Sequence, residues 1–201
     1  WLSVREIVEE SSNIGTIKIA QSLNESQFYR YMRLFGFGSR SANGLPGEVS
    51  GEVKHPSFWS KRSLETMAIG QEVGVTALQV AAAYGTIANG GRLMAPRLFL
   101  KATRRGSLLV GGNPELVRQV ISPETAATLA SFLKGVVQHG TGTRAQVPGY
   151  QVAGKTGTAQ QAYEDKPGYD PDRYISSFVG FLPADRPELL CFVALDSPQG
   201  T

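Results

Sequence analysis

The sequence has few cysteines and histidines and no long apolar run. Its 201 residues include one cysteine, Cys191, and two histidines, His55 and His139, which lie far apart. Metal sites use such residues at short spacings, so we expect no metal and no other cofactor. No run approaches the ~20 consecutive apolar residues that a membrane-spanning helix needs. Because Cys191 lies in an apolar run at residues 189–195, we predict that its thiol is buried in the core.

Charged residues are also relatively few. They make up 18% of the sequence, with 20 basic and 17 acidic side chains, while hydrophobic residues make up 41%. The small basic cluster of Lys101, Arg104 and Arg105 is typical of a solvated turn. The composition therefore predicts a single soluble globular domain with a sizeable core and no nucleic-acid partner.

Helical patterns dominate residues 1–150. Apolar spacing and short polar caps predict helices at residues 4–10, 14–23, 24–35, 76–89 and 122–139. Residues 36–62 are rich in Gly, Ser and Pro, which predicts an irregular surface segment. Residues 96–102 and 107–110 predict a small hairpin.

The pattern changes to short β-rich runs in residues 151–201. Runs at residues 151–160, 174–182 and 189–195 are separated by turn-rich segments, which predicts consecutive antiparallel strands. Helices followed by strands indicate an α+β fold in which an antiparallel sheet is flanked by helices. We therefore divide the chain into a mainly helical part, residues 1–150, and a strand part, residues 151–201.

One run in the strand part combines a cation, two hydroxyls and a glycine. Lys155, Thr156, Gly157 and Thr158 follow each other in a predicted strand, whose alternate side chains point to opposite faces. We expect Thr156 and Thr158 on one face, with Gly157 leaving the backbone between them open to a ligand. The run thus predicts an anion-binding site. A surface lysine at a strand end is the alternative interpretation of Lys155.

Two other segments give weaker indications. Residues 140–145 match a G-x-G-x-x-A dinucleotide pattern, but they follow a helix and are interpreted as the loop that ends it. Residues 161–173, with Tyr163 and Tyr169, are interpreted as a solvated hairpin, with a substrate gate as the alternative.

The polar turn at Ser11 and Asn13 forms a known set of motifs with the lysine run. An S-x-N turn and a K-T-G strand occur together in β-lactamases and penicillin-binding proteins. A simple cap between two helices is the alternative interpretation of Ser11 and Asn13. Further matching runs lie at residues 10–15, 35–38, 45–48, 68–71, 75–79, 87–91 and 178–183. With these runs, the chain resembles the transpeptidase domain of class B penicillin-binding proteins of the division type.

This resemblance implies a serine transpeptidase and β-lactamase-like fold, present as a partial domain. It implies a D,D-transpeptidase that cross-links peptidoglycan stem peptides ending in D-Ala-D-Ala through a serine acyl-enzyme and that binds β-lactams. Ser11 and Lys155 would form the proton-relay wall of the site, and Asn13 would hydrogen-bond the donor. Thr156 and Thr158 would hold the substrate carboxylate, while Gly157 permits its close approach. The Thr158 N–H would be an oxyanion-hole donor.

The chain departs from the family pattern at the nucleophile. The family's S-x-x-K motif precedes the S-x-N turn, but only ten residues precede Ser11 and none of them forms it. The one formal match, Ser131 to Lys134, lies in the middle of a predicted helix and is interpreted as coincidental. We therefore expect that the nucleophile region is missing upstream and that the chain is an excised fragment. Since loss of a serine nucleophile costs about 10⁶ in rate, we expect the fragment alone to be inactive.

The resemblance also gives expectations about partners and location. The parent protein is expected at the extracytoplasmic face of the bacterial inner membrane, anchored by a segment outside this chain. A glycosyltransferase and division proteins are its expected partners. Exposed apolar surface and a free strand edge predict self-association of the fragment. A D-Ala-D-Ala carboxypeptidase and a non-catalytic β-lactam sensor are the alternative functions, whereas a class A β-lactamase would need an E-x-x-L-N run that the sequence lacks.

Overall fold

The molecule consists of helices followed by an antiparallel sheet. The computed structural model describes residues 1–41, 46–98, 101–111, 113–163 and 165–199. The helices are α1 Val4–Glu9, α2 Asn13–Gln21, α3 Glu25–Leu34, α4 Ser63–Ala68, α5 Ala77–Ala88 and α6 Pro123–Gln138. The strands are β1 Arg92–Met94, β2 Lys101–Arg104, β3 Ser107–Gly111, β4 Leu116–Gln119, β5 Ala153–Ala162, β6 Tyr169–Leu182 and β7 Leu189–Asp196. Within these ranges, every helix is too short or too polar to cross a bilayer.

Side-chain caps explain why the predicted helices begin where they do. The Asn24 side chain accepts from the Gln27 N–H at 2.8 Å, and the Gln27 side chain accepts from the Asn24 N–H at 3.2 Å, which is a capping box at the start of α3. Thr76 and Gln79 form the same box before α5. Ser122 caps α6 ahead of a proline in its first turn. The predicted helices are confirmed to within about one turn at each end.

β5, β6 and β7 form one antiparallel sheet with β6 in the centre. Lys155 is paired with Val179 of β6, and Thr156 is paired with Phe178, which is in turn paired with Val193 of β7. β5 therefore lies at one edge of the sheet, next to the helical part. The α+β class with an antiparallel sheet and flanking helices is confirmed, as are the three strands predicted in residues 151–201.

The inner face of the sheet packs on α5 and α6 to form the core. Ala153 of β5 and Phe181 of β6 are fully buried against Leu133 of α6. Tyr84 of α5 packs against the same cluster, and burial raises the pKa of its phenol to about 12. Apolar contact between the two helices and the sheet thus fixes β5 relative to the helical part.

The segment before α4 is irregular, as predicted, and is attached to α5 by one buried amide. The Gln79 side chain is buried and donates to the carbonyls of Ser39 and Ser50, both at 2.8 Å. A short 3₁₀ turn at Pro56–Phe58 is the regular element in the described part of residues 36–62, of which residues 42–45 lie outside the description.

One short helix and one pair of short strands were not predicted from the sequence. α4 is a six-residue helix whose start has no side-chain cap, so it lacks the usual sequence signal. β1 and β4 pair with each other over three positions, and β4 is exposed along its length. A hairpin is formed by β2 and β3, as predicted, but residues 96–98 of its predicted first strand lie outside any strand, and residues 99 and 100 lie outside the description.

The prediction for Cys191 is wrong, because its side chain is exposed. β7 is an edge strand, and its residues 189, 191, 193 and 195 lie on the outer face of the sheet, away from α5 and α6. An apolar run therefore does not imply burial on both faces here.

In the 161–173 segment, β5 and β6 extend the hairpin, and the Tyr169 hydroxyl accepts from the Glu72 N–H at 2.9 Å. This contact anchors Tyr169 to the segment after α4.

Candidate active site

The turn between α1 and α2 determines the position of Ser11. The Ser12 N–H donates to the Ile7 carbonyl at 3.0 Å and the Ser11 N–H donates to the Val8 carbonyl at 3.3 Å, which is a Schellman motif. Ser11 occupies its left-handed position, with a φ of 54°. Ser12 caps α2, because its hydroxyl accepts from the Gly15 N–H at 3.2 Å. The capping role therefore belongs to Ser12 and leaves the Ser11 hydroxyl available to another partner.

That partner is Lys155 on β5. Its ammonium donates to Ser11 Oγ at 2.8 Å and to the Thr156 carbonyl at 3.2 Å. Lys155 is half-buried, and burial lowers the pKa of its ammonium from the usual 10.5. Because Ser11 Oγ accepts from Lys155, the hydroxyl proton of Ser11 is available to a group in front of it. A serine and lysine in this contact can transfer a proton to or from a bound ligand.

The alternation of β5 separates the lysine from the two threonines. Lys155 is paired with the buried Val179 on the inner face of the sheet, whereas Thr156 and Thr158 lie together on the outer face, as predicted. Gly157 is paired with Ser177, and a Cβ at this glycine would lie 2.7 Å from Ser177 Oγ. The missing side chain of Gly157 therefore gives room to the Ser177 hydroxyl.

Thr141, which the sequence analysis placed only in a helix-ending loop, contacts the strand. Its hydroxyl lies 3.0 Å from the Thr156 hydroxyl. The two side chains border a cavity of about 500 Å³ on the outer face, to which Arg144 also contributes. Hydroxyls and a guanidinium are suitable partners for a carboxylate. The G-x-G-x-x-A match gave no signal for this contact, because it joins residues of two elements.

Asn13 and Ser131 occupy different environments. Asn13 is the first residue of α2, and its exposed side chain makes no hydrogen bond to another residue in the described part of the chain. It is therefore available to a ligand beside Ser11.

Ser131 lies inside α6, where its hydroxyl accepts from Arg5 Nη2 at 2.9 Å. A guanidinium does not act as a base at neutral pH, so this contact does not activate Ser131 as a nucleophile.

Related sequences connect this geometry to a known family. All residues, 1–201, match the family model described as the penicillin binding protein transpeptidase domain. The chain is 44% identical over 199 residues to penicillin-binding protein PbpB of Mycolicibacterium smegmatis, covering 94% of this chain and 30% of that protein. It is 37% identical over 200 residues to stage V sporulation protein D of Bacillus subtilis, covering 98% of this chain and 30% of that protein. The chain thus spans about a third of the length of these relatives.

Solved structures show the same relationship. Penicillin binding protein 3 of Mycobacterium tuberculosis, complexed with aztreonam, superposes with a TM-score of 0.92 at 37% identity, covering 98% of this chain and 45% of that chain. The complex of the same protein with ampicillin gives the same TM-score. The transpeptidase domain from penicillin-binding protein 3 of Burkholderia pseudomallei superposes with a TM-score of 0.86 at 34% identity, over 98% of this chain and 57% of that chain. The chain therefore belongs to the family of penicillin-binding protein transpeptidase domains.

Proposed function

We propose that the protein containing this chain is a peptidoglycan D,D-transpeptidase that binds β-lactams and that these residues form one wall of its active site. The observation that carries the proposal is the contact of Lys155 Nζ with Ser11 Oγ at 2.8 Å, which joins the two motifs across the chain. The hydrogen bond of Ser12 supports it. Because the Ser12 hydroxyl caps α2, the Ser11 hydroxyl is not needed for the cap. Relatives in this family are named probable peptidoglycan D,D-transpeptidases, among them PenA of Neisseria gonorrhoeae.

The residues have distinct roles in this proposal. The carboxylate of the terminal D-Ala binds to the outer-face hydroxyls of Thr156 and Thr158, near the charge of Lys155. Ser11 transfers a proton between Lys155 and the leaving amine, which its contact geometry permits. Asn13 hydrogen-bonds the acyl part of the donor. We assign the nucleophilic serine to a part of the protein outside these residues, since Ser131 is paired with Arg5.

The proposal extends to location and partners. We place the protein at the extracytoplasmic face of the bacterial inner membrane, where stem peptides are cross-linked, with its anchor outside this chain. A glycosyltransferase that makes the glycan strands and proteins of cell division are its proposed partners. The similarity to stage V sporulation protein D and the PbpB proteins supports a role in cell division.

Ligand titration by NMR tests the binding role of this chain. N-acetyl-D-Ala-D-Ala is expected to shift the amide resonances of Ser11, Lys155, Thr156 and Thr158, whereas the L-Ala-L-Ala isomer shifts them less. Lys155→Met is expected to abolish the effect, and Lys101→Met, which changes an exposed lysine on β2, serves as its matched control. Shifts that map elsewhere, or that persist in Lys155→Met, would contradict the proposal.

Covalent labelling tests the assignment of the nucleophile. Fluorescent penicillin is expected to leave this chain unlabelled. Ser131 is the only serine in it that is followed three residues later by lysine, and its hydroxyl is paired with Arg5 rather than with a base. Labelling that disappears in Ser131→Ala would show that the nucleophile lies within these residues.

A further inference from the structure

A buried carboxylate lies two residues before Ser11. Glu9, at the C-terminal end of α1, has a side chain that is only 6% exposed. Its Oε2 lies 2.9 Å from Nε2 of His139, at the end of α6, and its Oε1 lies 3.5 Å from Nη1 of Arg5. Carboxylates are rarely buried to this extent without such partners. The contact with His139 joins the end of α1 to the end of α6, whereas Arg5 lies on α1 itself.

α6 has a glycine at the point where the Glu9 carboxylate packs. A Cβ at Gly135 would overlap Oε1 of Glu9, and a Cβ at Gly140 would overlap the Glu9 carbonyl oxygen. Glycine in a helix interior costs about 1 kcal/mol relative to alanine. The helix therefore carries a less stabilising residue where it accommodates Glu9.

The backbone of Glu9 leads to two polar contacts between the helical part and β5. Its carbonyl accepts from the Thr141 N–H at 3.2 Å, and the Thr141 hydroxyl lies 3.0 Å from that of Thr156. In the other direction, the chain continues from Glu9 to Ser11, whose hydroxyl accepts from Lys155. A displacement of Glu9 would therefore move both contacts together.

We propose that Glu9 is a positioning residue that holds Ser11 against Lys155 and Thr141 against Thr156. It acts through the turn and the loop and does not touch the ligand. Its effect on ligand affinity rests on the proposed function, but its effect on the geometry of Ser11 and Lys155 does not. Misplacing a reacting group by about 1 Å can cost roughly a hundredfold in rate, and binding groups depend on position in the same direction, so loss of the Glu9 side chain is expected to weaken carboxylate binding.

Two substitutions at Glu9 separate position from charge. Glu9→Gln and Glu9→Ala both remove the negative charge, but glutamine keeps the size and can still hydrogen-bond His139. NMR of the 201-residue chain is expected to show shifted Ser11 and Lys155 amides and a changed pKa of Lys155 in Glu9→Ala, with Glu9→Gln closer to the unsubstituted chain. Glu10→Ala, at the exposed next residue, is the matched control: it is expected to shift the neighbouring Ser11 amide but to leave the amide and the pKa of Lys155 unchanged.

A double substitution tests the contact with α6 directly. Gly135→Ala is expected to displace the Glu9 carboxylate and to shift the same resonances as Glu9→Ala. In the combined Glu9→Ala and Gly135→Ala chain, the second substitution is expected to add little, because the group it displaces is already absent. Independent, additive effects would show that Gly135 does not act on the site through Glu9.

The outcomes distinguish this inference from the proposed function. The inference is overturned if a folded Glu9→Ala chain keeps the Lys155 resonances of the unsubstituted chain, because Ser11 lies too near Glu9 in the sequence for its own shift to be decisive. If Glu9→Ala does not fold, His139→Ala decides, because it breaks the same contact at an exposed ring. Unchanged Ser11 and Lys155 resonances in His139→Ala would then overturn the inference. If the unsubstituted chain binds no N-acetyl-D-Ala-D-Ala, the proposed function fails. The Lys155 resonances of the Glu9 variants still test whether Glu9 positions Ser11 against Lys155.

Discussion

The charge of the site depends on pH through the ammonium group of Lys155. Burial lowers the pKa of its ammonium from 10.5, so the charge is lost at a lower pH than in the unfolded chain. In the proposed function, carboxylate binding needs that charge, and we expect the affinity for N-acetyl-D-Ala-D-Ala to fall as the pH rises through the lowered pKa. NMR titration of the Lys155 Cε resonance and of the affinity should give coincident midpoints. An affinity that stays constant up to pH 10.5, the usual pKa of a lysine, would contradict the prediction.

At the residue scale, the sequence predicted what local motifs encode. Ser11 and Lys155 could be singled out because each lies in a recognisable short run, and the structure brings them together. The roles of Glu9 and Thr141 could not, because they depend on contacts between α1, the loop after α6 and β5. Cys191 was predicted as buried because hydrophobicity alone does not tell an edge strand from a central one.

At the element scale, the Gln79 amide attaches the irregular segment to α5. It donates to two carbonyls and its Oε1 accepts from the Thr76 N–H at 3.0 Å, so its substitution leaves three groups unpaired. Gln79→Leu is expected to lower the free energy of unfolding by roughly 2–4 kcal/mol, as measured by urea denaturation. Gln21→Leu, which removes an exposed contact with Glu65, is the matched control and should cost under about 0.5 kcal/mol. Equal losses would contradict this prediction.

The buried phenol of Tyr84, between α5 and the sheet, is expected to make the protein less stable at high pH. Burial raises the pKa of Tyr84 from 10.0 to about 12, so the unfolded state ionises first. The contribution of Tyr84 to the free energy of unfolding is complete below the pKa that the phenol has in the unfolded chain. It is lost as the pH rises from that pKa to the pKa in the folded chain, at about 1.4 kcal/mol per pH unit. Denaturation at several pH values should show this loss in the unsubstituted chain relative to Tyr84→Phe. Parallel curves for the two chains would contradict the prediction.

Element types were predictable where caps and periodicity agree. The capping boxes of α3 and α5 are local, and both helices begin as expected. α4 and the β1–β4 pair were missed because they are short and are held by contacts with distant segments. The sheet order follows from consecutive hairpins, which is why the antiparallel prediction held for β5, β6 and β7.

At the scale of the whole molecule, the outer face of β7 predicts self-association. Leu189, Val193 and Leu195 are 68%, 48% and 56% exposed on one face of an edge strand. Such apolar surface favours contact with a second copy. Sedimentation velocity is expected to show a mass that increases with concentration, and Val193→Lys is expected to reduce the increase. Glu188→Lys, at an exposed residue before the strand, is its control, and a strictly monomeric profile would contradict the prediction.

The left-handed backbone of Ser11 has a consequence for engineering this molecule. Glycine is the usual residue at this position of a Schellman motif, and any other residue there costs about 1 kcal/mol. Ser11→Gly is therefore a substitution that stabilises the turn while it removes the acceptor of Lys155. Selection for thermal stability alone would favour that change. At this one position, the most stable chain and the chain proposed to bind the ligand have different sequences.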